Sequence, residues 1–140
     1  MRDRAMALDF VTLAGANLAA QVLLFLILAA SVYYAKNKKV QRHCSITNVS
    51  FAAQIILILA IMLPAMSAYA GFGLLGDEAV IHHVLGLASV ALWIFINLGY
   101  KKVFKADFGL LKNAMRFSLG LWALSVALGL HLYWTVYTGI

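Results

Sequence analysis

Four long runs without a charged side chain constrain this sequence more than any other feature. They lie between Asp9 and Lys36, from Cys44 to Gly76, from Val84 to Tyr100 and from Phe117 to Ile140. A helix rises about 1.5 Å per residue, so roughly 20 residues cross a hydrocarbon core about 30 Å thick. The first, second and fourth runs meet that length, and the third does so once His82 and His83 form its first turn. Backbone groups in lipid must be bonded within their own segment, and these runs are too long for barrel strands, so helices are expected. Only 11% of the residues are charged and 64% are hydrophobic, against about 25% charged in a soluble domain. A chain of 140 residues has no interior large enough to hide so much apolar surface. The expected fold is therefore all-α: a single integral membrane four-helix bundle spanning residues 1–140, with helices near 10–35, 46–70, 82–100 and 115–138.

The first run is too long for the apolar core of a signal peptide, and lysines follow it instead of a cleavage site, so a retained helix is expected. Lysine and arginine then set the orientation. Lys36, Lys38, Lys39 and Arg42 fall between helices one and two, and Lys101, Lys102, Lys105, Lys112 and Arg116 fall between helices three and four. These turns should face the cytoplasm. Both termini should lie on the outer side of the cell's inner (cytoplasmic) membrane, where Asp3, Asp9, Asp77 and Glu78 offset Arg2 and Arg4. A pI near 9.7 thus reflects topology and not nucleic-acid binding. Pro64 is expected to kink helix two, and the glycine-rich stretch Gly71-Phe72-Gly73-Leu74-Leu75-Gly76 to end it in an outer turn. Cys44 is the one cysteine, so no disulfide can form within the chain.

Polar residues inside membrane helices are expensive and point to function. His131 lies deep in helix four, about seven residues or roughly 10 Å from its outer end, on a face with Gly120, Ala127 and Thr135. A row of small residues allows another helix or a flat ligand to approach closely. His82 and His83 open helix three on the same outer side. Gly86, Ser89 and Trp93 follow on the His82 face; Leu87, Val90 and Asn97 follow on the His83 face. Two imidazoles from neighbouring antiparallel helices are what a six-coordinate b-type haem requires. His131 with His82, or alternatively His83, is the expected ligand pair, His82 being preferred for the smaller residues on its face.

His43 follows Arg42 at the inner end of helix two. It reads as a headgroup-level residue or as part of an inner haem or quinone site with Met115. Copper bound by His82, His83 and His131 is a minor alternative. Asn17 and Gln21 on helix one and Gln54 on helix two are expected to bond between helices. Trp122, Trp134, Tyr133 and Tyr137 read as packing and interfacial belt residues. With no nucleophile–base pair, phosphate loop or zinc motif, hydrolytic chemistry has no support. No acidic or basic side chain lies within a helix core, which weighs against a pump, an ion-coupled transporter or a charge-lined channel.

Several short motifs also carry a resemblance: Asn17 early in helix one, Arg42-His43, and His82-His83-Val84-Leu85-Gly86-Leu87-Ala88. Ala114-Met115-Arg116-Phe117, Leu121-Trp122, Gly129 and Tyr133 continue it. From Asn17 to Tyr133 the chain resembles a family of small four-helix membrane proteins of uncharacterised function, associated with terminal oxidases. The resemblance implies a role in oxidase maturation and singles out His43 and one of the histidines opening helix three. Thr47 stands where that family often has methionine, and His131 is an addition to its usual pattern. Three functions are thus in view. The first is an electron-transfer subunit with one b-type haem near the outer face, passing electrons between quinone and an outer redox partner. The second is an oxidase-assembly or haem-handling protein, and the third a cofactor-free accessory subunit of a larger membrane complex.

Overall fold

A computed structural model gives the structure of the chain and describes residues 2–64 and 76–135, with side chains from residue 12 onward. The described residues are helical apart from short turns. α1 runs Arg2–Lys36, α2 Val40–Leu57 with a wider π-helical turn at Ile58–Met62, α3 Asp77–Tyr100 and α4 Phe108–Tyr133. Four helical stretches among them are long and apolar enough to cross a membrane: Thr12–Lys36, Val40–Met62, Asp77–Tyr100 and Phe108–Tyr133. They fall into two compact units, the α1–α2 hairpin within residues 2–64 and the α3–α4 hairpin of residues 76–135.

The helices begin earlier than the charge boundaries suggest. Against expected starts near 10, 46, 82 and 115, they start at Arg2, Val40, Asp77 and Phe108. Charged side chains end an apolar run without ending a helix, because long basic side chains reach away from it toward water. What sets the start of α4 is a cap: the Asp107 carboxylate accepts from the N–H groups of Gly109 at 2.9 Å and Leu110 at 3.4 Å. Asp77 and Glu78 occupy the first turn of α3, where negative charge complements the helix dipole. The expected ends near 70 and 138, and the glycine-rich turn 71–75, lie outside the described residues.

Pro64 leaves its mark upstream. Proline cannot donate to the carbonyl four residues back, and its ring crowds that carbonyl. The turn before it is wound wider, with the Leu63 N–H bonded to Ile58 O, five residues back. Such π turns are a common site of helix bending.

The α1–α2 and α3–α4 turns close in the same way. Lys38 adopts φ 60° and Lys102 φ 59°, the left-handed region. In the first turn Lys39 N–H reaches Tyr34 O and Lys38 N–H reaches Ala35 O; in the second, Val103 N–H reaches Leu98 O and Lys102 N–H reaches Gly99 O. This paired bonding satisfies the last carbonyls of α1 and α3 and is the usual glycine-dependent helix stop, made here with lysine.

The burial pattern is inverted relative to a water-soluble protein. Gln21, Ser31, Ser50, Gln54, Ser89, Ser118 and Ser125 are buried, while Leu23, Leu26, Val49, Ile56, Leu87 and Leu124 are exposed. Small polar residues at the contacts and large apolar ones outside suit helices whose surroundings are themselves apolar.

Candidate functional site

The α3–α4 hairpin is zipped along one antiparallel seam of small residues. Near the hairpin turn, Gly99 lies against Leu111, where an added Cβ would come within 2.8 Å of the leucine methyl. Midway, Ser89 Oγ donates to Ser118 O at 3.0 Å and Ser118 Oγ donates to Ser89 O at 3.1 Å. A turn further out, Gly86 faces Ser125, whose hydroxyl would stand 3.3 Å from an added Cβ. Residues 118, 125 and 129 repeat on α4 at intervals of seven and four, and 82, 86 and 89 on α3 at four and three, so each set holds one face.

His82 sits at the end of this seam away from the hairpin turn. Its Nδ1 lies 2.8 Å from Ser125 O, and a carbonyl only accepts, so the proton is on Nδ1. That tautomer leaves the Nε2 lone pair for an acceptor or metal role, the arrangement usual for a ligating histidine. Ser125 Oγ in turn donates to His82 O at 3.1 Å. Gly129 makes room for the ring: an added Cβ would stand 2.9 Å from His82 Cε1. His83 turns instead onto its own helix, with Nδ1 2.6 Å from Ala79 O, and stacks edge-on against His82 with ring centroids 5.1 Å apart.

His131 belongs to a different face of α4. Its side chain is 56% exposed and its Nε2 lies 3.6 Å from Glu78 Oε2. Gly120, on the same face, has nothing within 4 Å of an added Cβ, and Ala127 and Thr135 are also exposed. The row of small residues expected to receive a neighbour is thus present, but α3 packs on the other small-residue row, Ser118–Ser125–Gly129. His82 meets Ser125 and Gly129, whereas His131 meets Glu78. The direct serine and glycine contacts between α3 and α4 leave no slot for a porphyrin between them. Among the described residues no group of three or more His, Cys, Asp or Glu side chains is arranged to hold a metal ion, so the three-histidine copper set is not preformed.

In the α1–α2 hairpin, His43 has its Nδ1 3.1 Å from Ser31 O. Thr47, four residues on, donates to His43 O at 2.8 Å and approaches Ser31 Oγ at 3.5 Å. His43 thereby ties α2 to α1; Met115 is on α4, in the other unit. The expected bonds of Asn17, Gln21 and Gln54 are not all made: Asn17 Oδ1 and Gln54 Oε1 are buried without a hydrogen-bond partner. Trp122 is buried and Trp134 is 58% exposed, in keeping with packing and belt positions, while Tyr137 lies outside the described residues.

Sequence reasoning missed Ser125 as the backbone anchor of His82 and Glu78 as the neighbour of His131. The spacing of Ser118, Ser125 and Gly129 carried the first signal. The second had none, since it depends on how far α4 is rotated against α3. No protein-family model, no curated protein and no solved structure matches this chain.

Proposed function

We propose that this chain is a multi-pass protein of the cell's inner (cytoplasmic) membrane, its hairpins joined in one four-helix bundle with both termini outward and the basic turns toward the cytoplasm. It serves there as an electron-transfer subunit holding one b-type haem near the outer face, between quinone and an outer redox partner. The observation that supports this reading best is the contrast among the histidines. His43, His82 and His83 each direct Nδ1 at a backbone carbonyl, whereas His131 projects from a helix of a membrane-spanning length with more than half its side chain exposed. An imidazole left outside the packing of an apolar helix is expensive unless it has other work.

On this reading His131, presented on the small-residue flank of α4, would be one of the residues holding the haem. His82 would be the other, its ring fixed by Ser125 O and its Nε2 lone pair uncommitted to that bond. The haem would supply the redox chemistry; the chain would supply position, apolar surroundings and ligand orientation. Glu78 lies beside His131 and orients its ring near the helix end.

A reduced-minus-oxidised visible spectrum of the purified protein, expressed with haem supplied, tests this. A sharp α-band lost in both His131→Ala and His82→Ala supports the assignment. Absence of any band from folded wild-type protein removes it. A band that survives His82→Ala and vanishes in His131→Ala would place the second ligand on another residue or subunit.

A second reading, an accessory or oxidase-assembly subunit, is favoured by the open row of small residues on α4, where Gly120 has nothing within 4 Å of an added Cβ and Ala127 and Thr135 are exposed. A helix of a partner membrane chain would close on that row. Co-purification of a stoichiometric membrane partner, with no haem, would favour this reading over the first.

A further inference from the structure

The two inner turns share a conformational peculiarity that the preceding reading does not use. Each helix stop needs one residue in the left-handed region, where glycine fits without strain and other L-residues do not. In both turns that residue is a lysine, Lys38 at φ 60° and Lys102 at φ 59°. The chain has ten glycines, yet neither stop uses one. Asparagine, which tolerates this region better than lysine, stands beside the first site at Asn37 and is not used at it either.

The surroundings of each turn indicate what the charge is for. Lys36, Lys38, Lys39 and Arg42 are all exposed around the first turn, and Lys101, Lys102 and Lys105 around the second. None of these seven side chains forms an ion pair with an acidic residue among the described residues. Asp107, the nearest acid in sequence to the second turn, is occupied in capping α4. The helix just before each turn carries an outward tyrosine, Tyr33 at 66% and Tyr100 at 57% exposure, the residue type that settles at the headgroup level of a bilayer.

We propose that each inner turn is a clamp for the phosphate of an anionic phospholipid headgroup, with Lys38 and Lys102 set in the left-handed position to present their ammonium groups to it. The partner is a lipid and not a soluble polyanion, because the cations stand at the ends of helices of membrane-spanning length beside interfacial tyrosines. In both turns the carbonyls that a terminal lysine could otherwise bond are already taken by backbone N–H groups, at Tyr34 and Ala35 and at Leu98 and Gly99. Unpaired lysines near an anionic lipid surface each contribute about fivefold to binding.

The test uses the full-length protein in neutral detergent micelles doped with either phosphatidylglycerol or phosphatidylcholine. It reads melting temperature and the phospholipid retained per protein after washing. Wild type should retain phosphatidylglycerol in preference to phosphatidylcholine and be stabilised by it, less so in high salt. Lys38→Gly with Lys102→Gly should melt higher than wild type in neutral detergent, because glycine relieves the strain. It should also lose the phosphatidylglycerol preference by on the order of tenfold. Lys38→Gln with Lys102→Gln removes the charge while keeping the strained side chain. It should lose the same preference without the gain in melting temperature. Equal retention of both lipids by wild type would overturn the proposal, as would an undiminished preference in either double variant.

Discussion

The two hairpins are built on the same plan and finished differently. In each, a histidine near the start of the second or third helix bonds a serine carbonyl across the seam, His43 to Ser31 and His82 to Ser125. In each, a lysine closes the hairpin turn. The α3–α4 seam is closed by its own groups: its serines bond one another's backbone, and its glycines admit the opposing side chains at contact distance. The α1–α2 seam buries larger amides and leaves the Asn17 and Gln54 carbonyl oxygens unmatched. In an apolar medium a hydroxyl can satisfy itself on a nearby carbonyl, but an amide carries two donors and an acceptor and needs a partner of its own. The difference teaches that one hairpin can hold its shape with what it has, while the other holds polar capacity in reserve.

That contrast can be broken most forcefully at Gly129. Replacing it with valine drives carbon into the His82 ring and should destabilise the protein by about 3 kcal/mol in a detergent unfolding titration. Gly120→Val, on the open face of the same helix, should be close to neutral. Equal effects at the two positions would mean that α3 does not pack on the Ser118–Ser125–Gly129 face. A smaller effect is expected from Ser89→Ala combined with Ser118→Ala, which removes both reciprocal hydroxyl bonds and should cost about 1 kcal/mol. The smallest, and of opposite sign, is Gln54→Leu. Removing a buried amide whose oxygen is unmatched should leave the isolated protein unchanged or more stable by up to about 1 kcal/mol. Marked destabilisation there would show that Gln54 is fully bonded and that the two seams are equally complete.

The spans were legible in the sequence because charge marks where an apolar run ends, and the four runs map onto four helices. Their starts were not, because a cap such as Asp107 decides where a helix begins, and an apolar count is blind to it. The preference for small residues along the His82 face was visible as Gly86 and Ser89, and that is the face α3 turns to α4. The rotation of α4 was not visible. Two rows of small residues, 118–125 and 120–127, lie two residues apart and therefore about 200° around the helix. Either would admit a neighbour, and only the serines' ability to bond across the seam distinguishes them. The sequence singles out the four histidines, yet their partners, two serine carbonyls, an alanine carbonyl and a glutamate, depend on side-chain direction that no spacing rule supplies.

One further consequence comes from the length of α1. Its helix is continuous from Arg2 to Lys36, 35 residues that rise about 52 Å, against a hydrocarbon core about 30 Å thick. A rod of that length with no break in secondary structure couples its two ends. A displacement applied near Arg2 is carried along one backbone to Ser31, whose carbonyl meets His43 of α2. Whatever docks at the far end of α1 thus has a mechanical route into the contact that ties the two helices together.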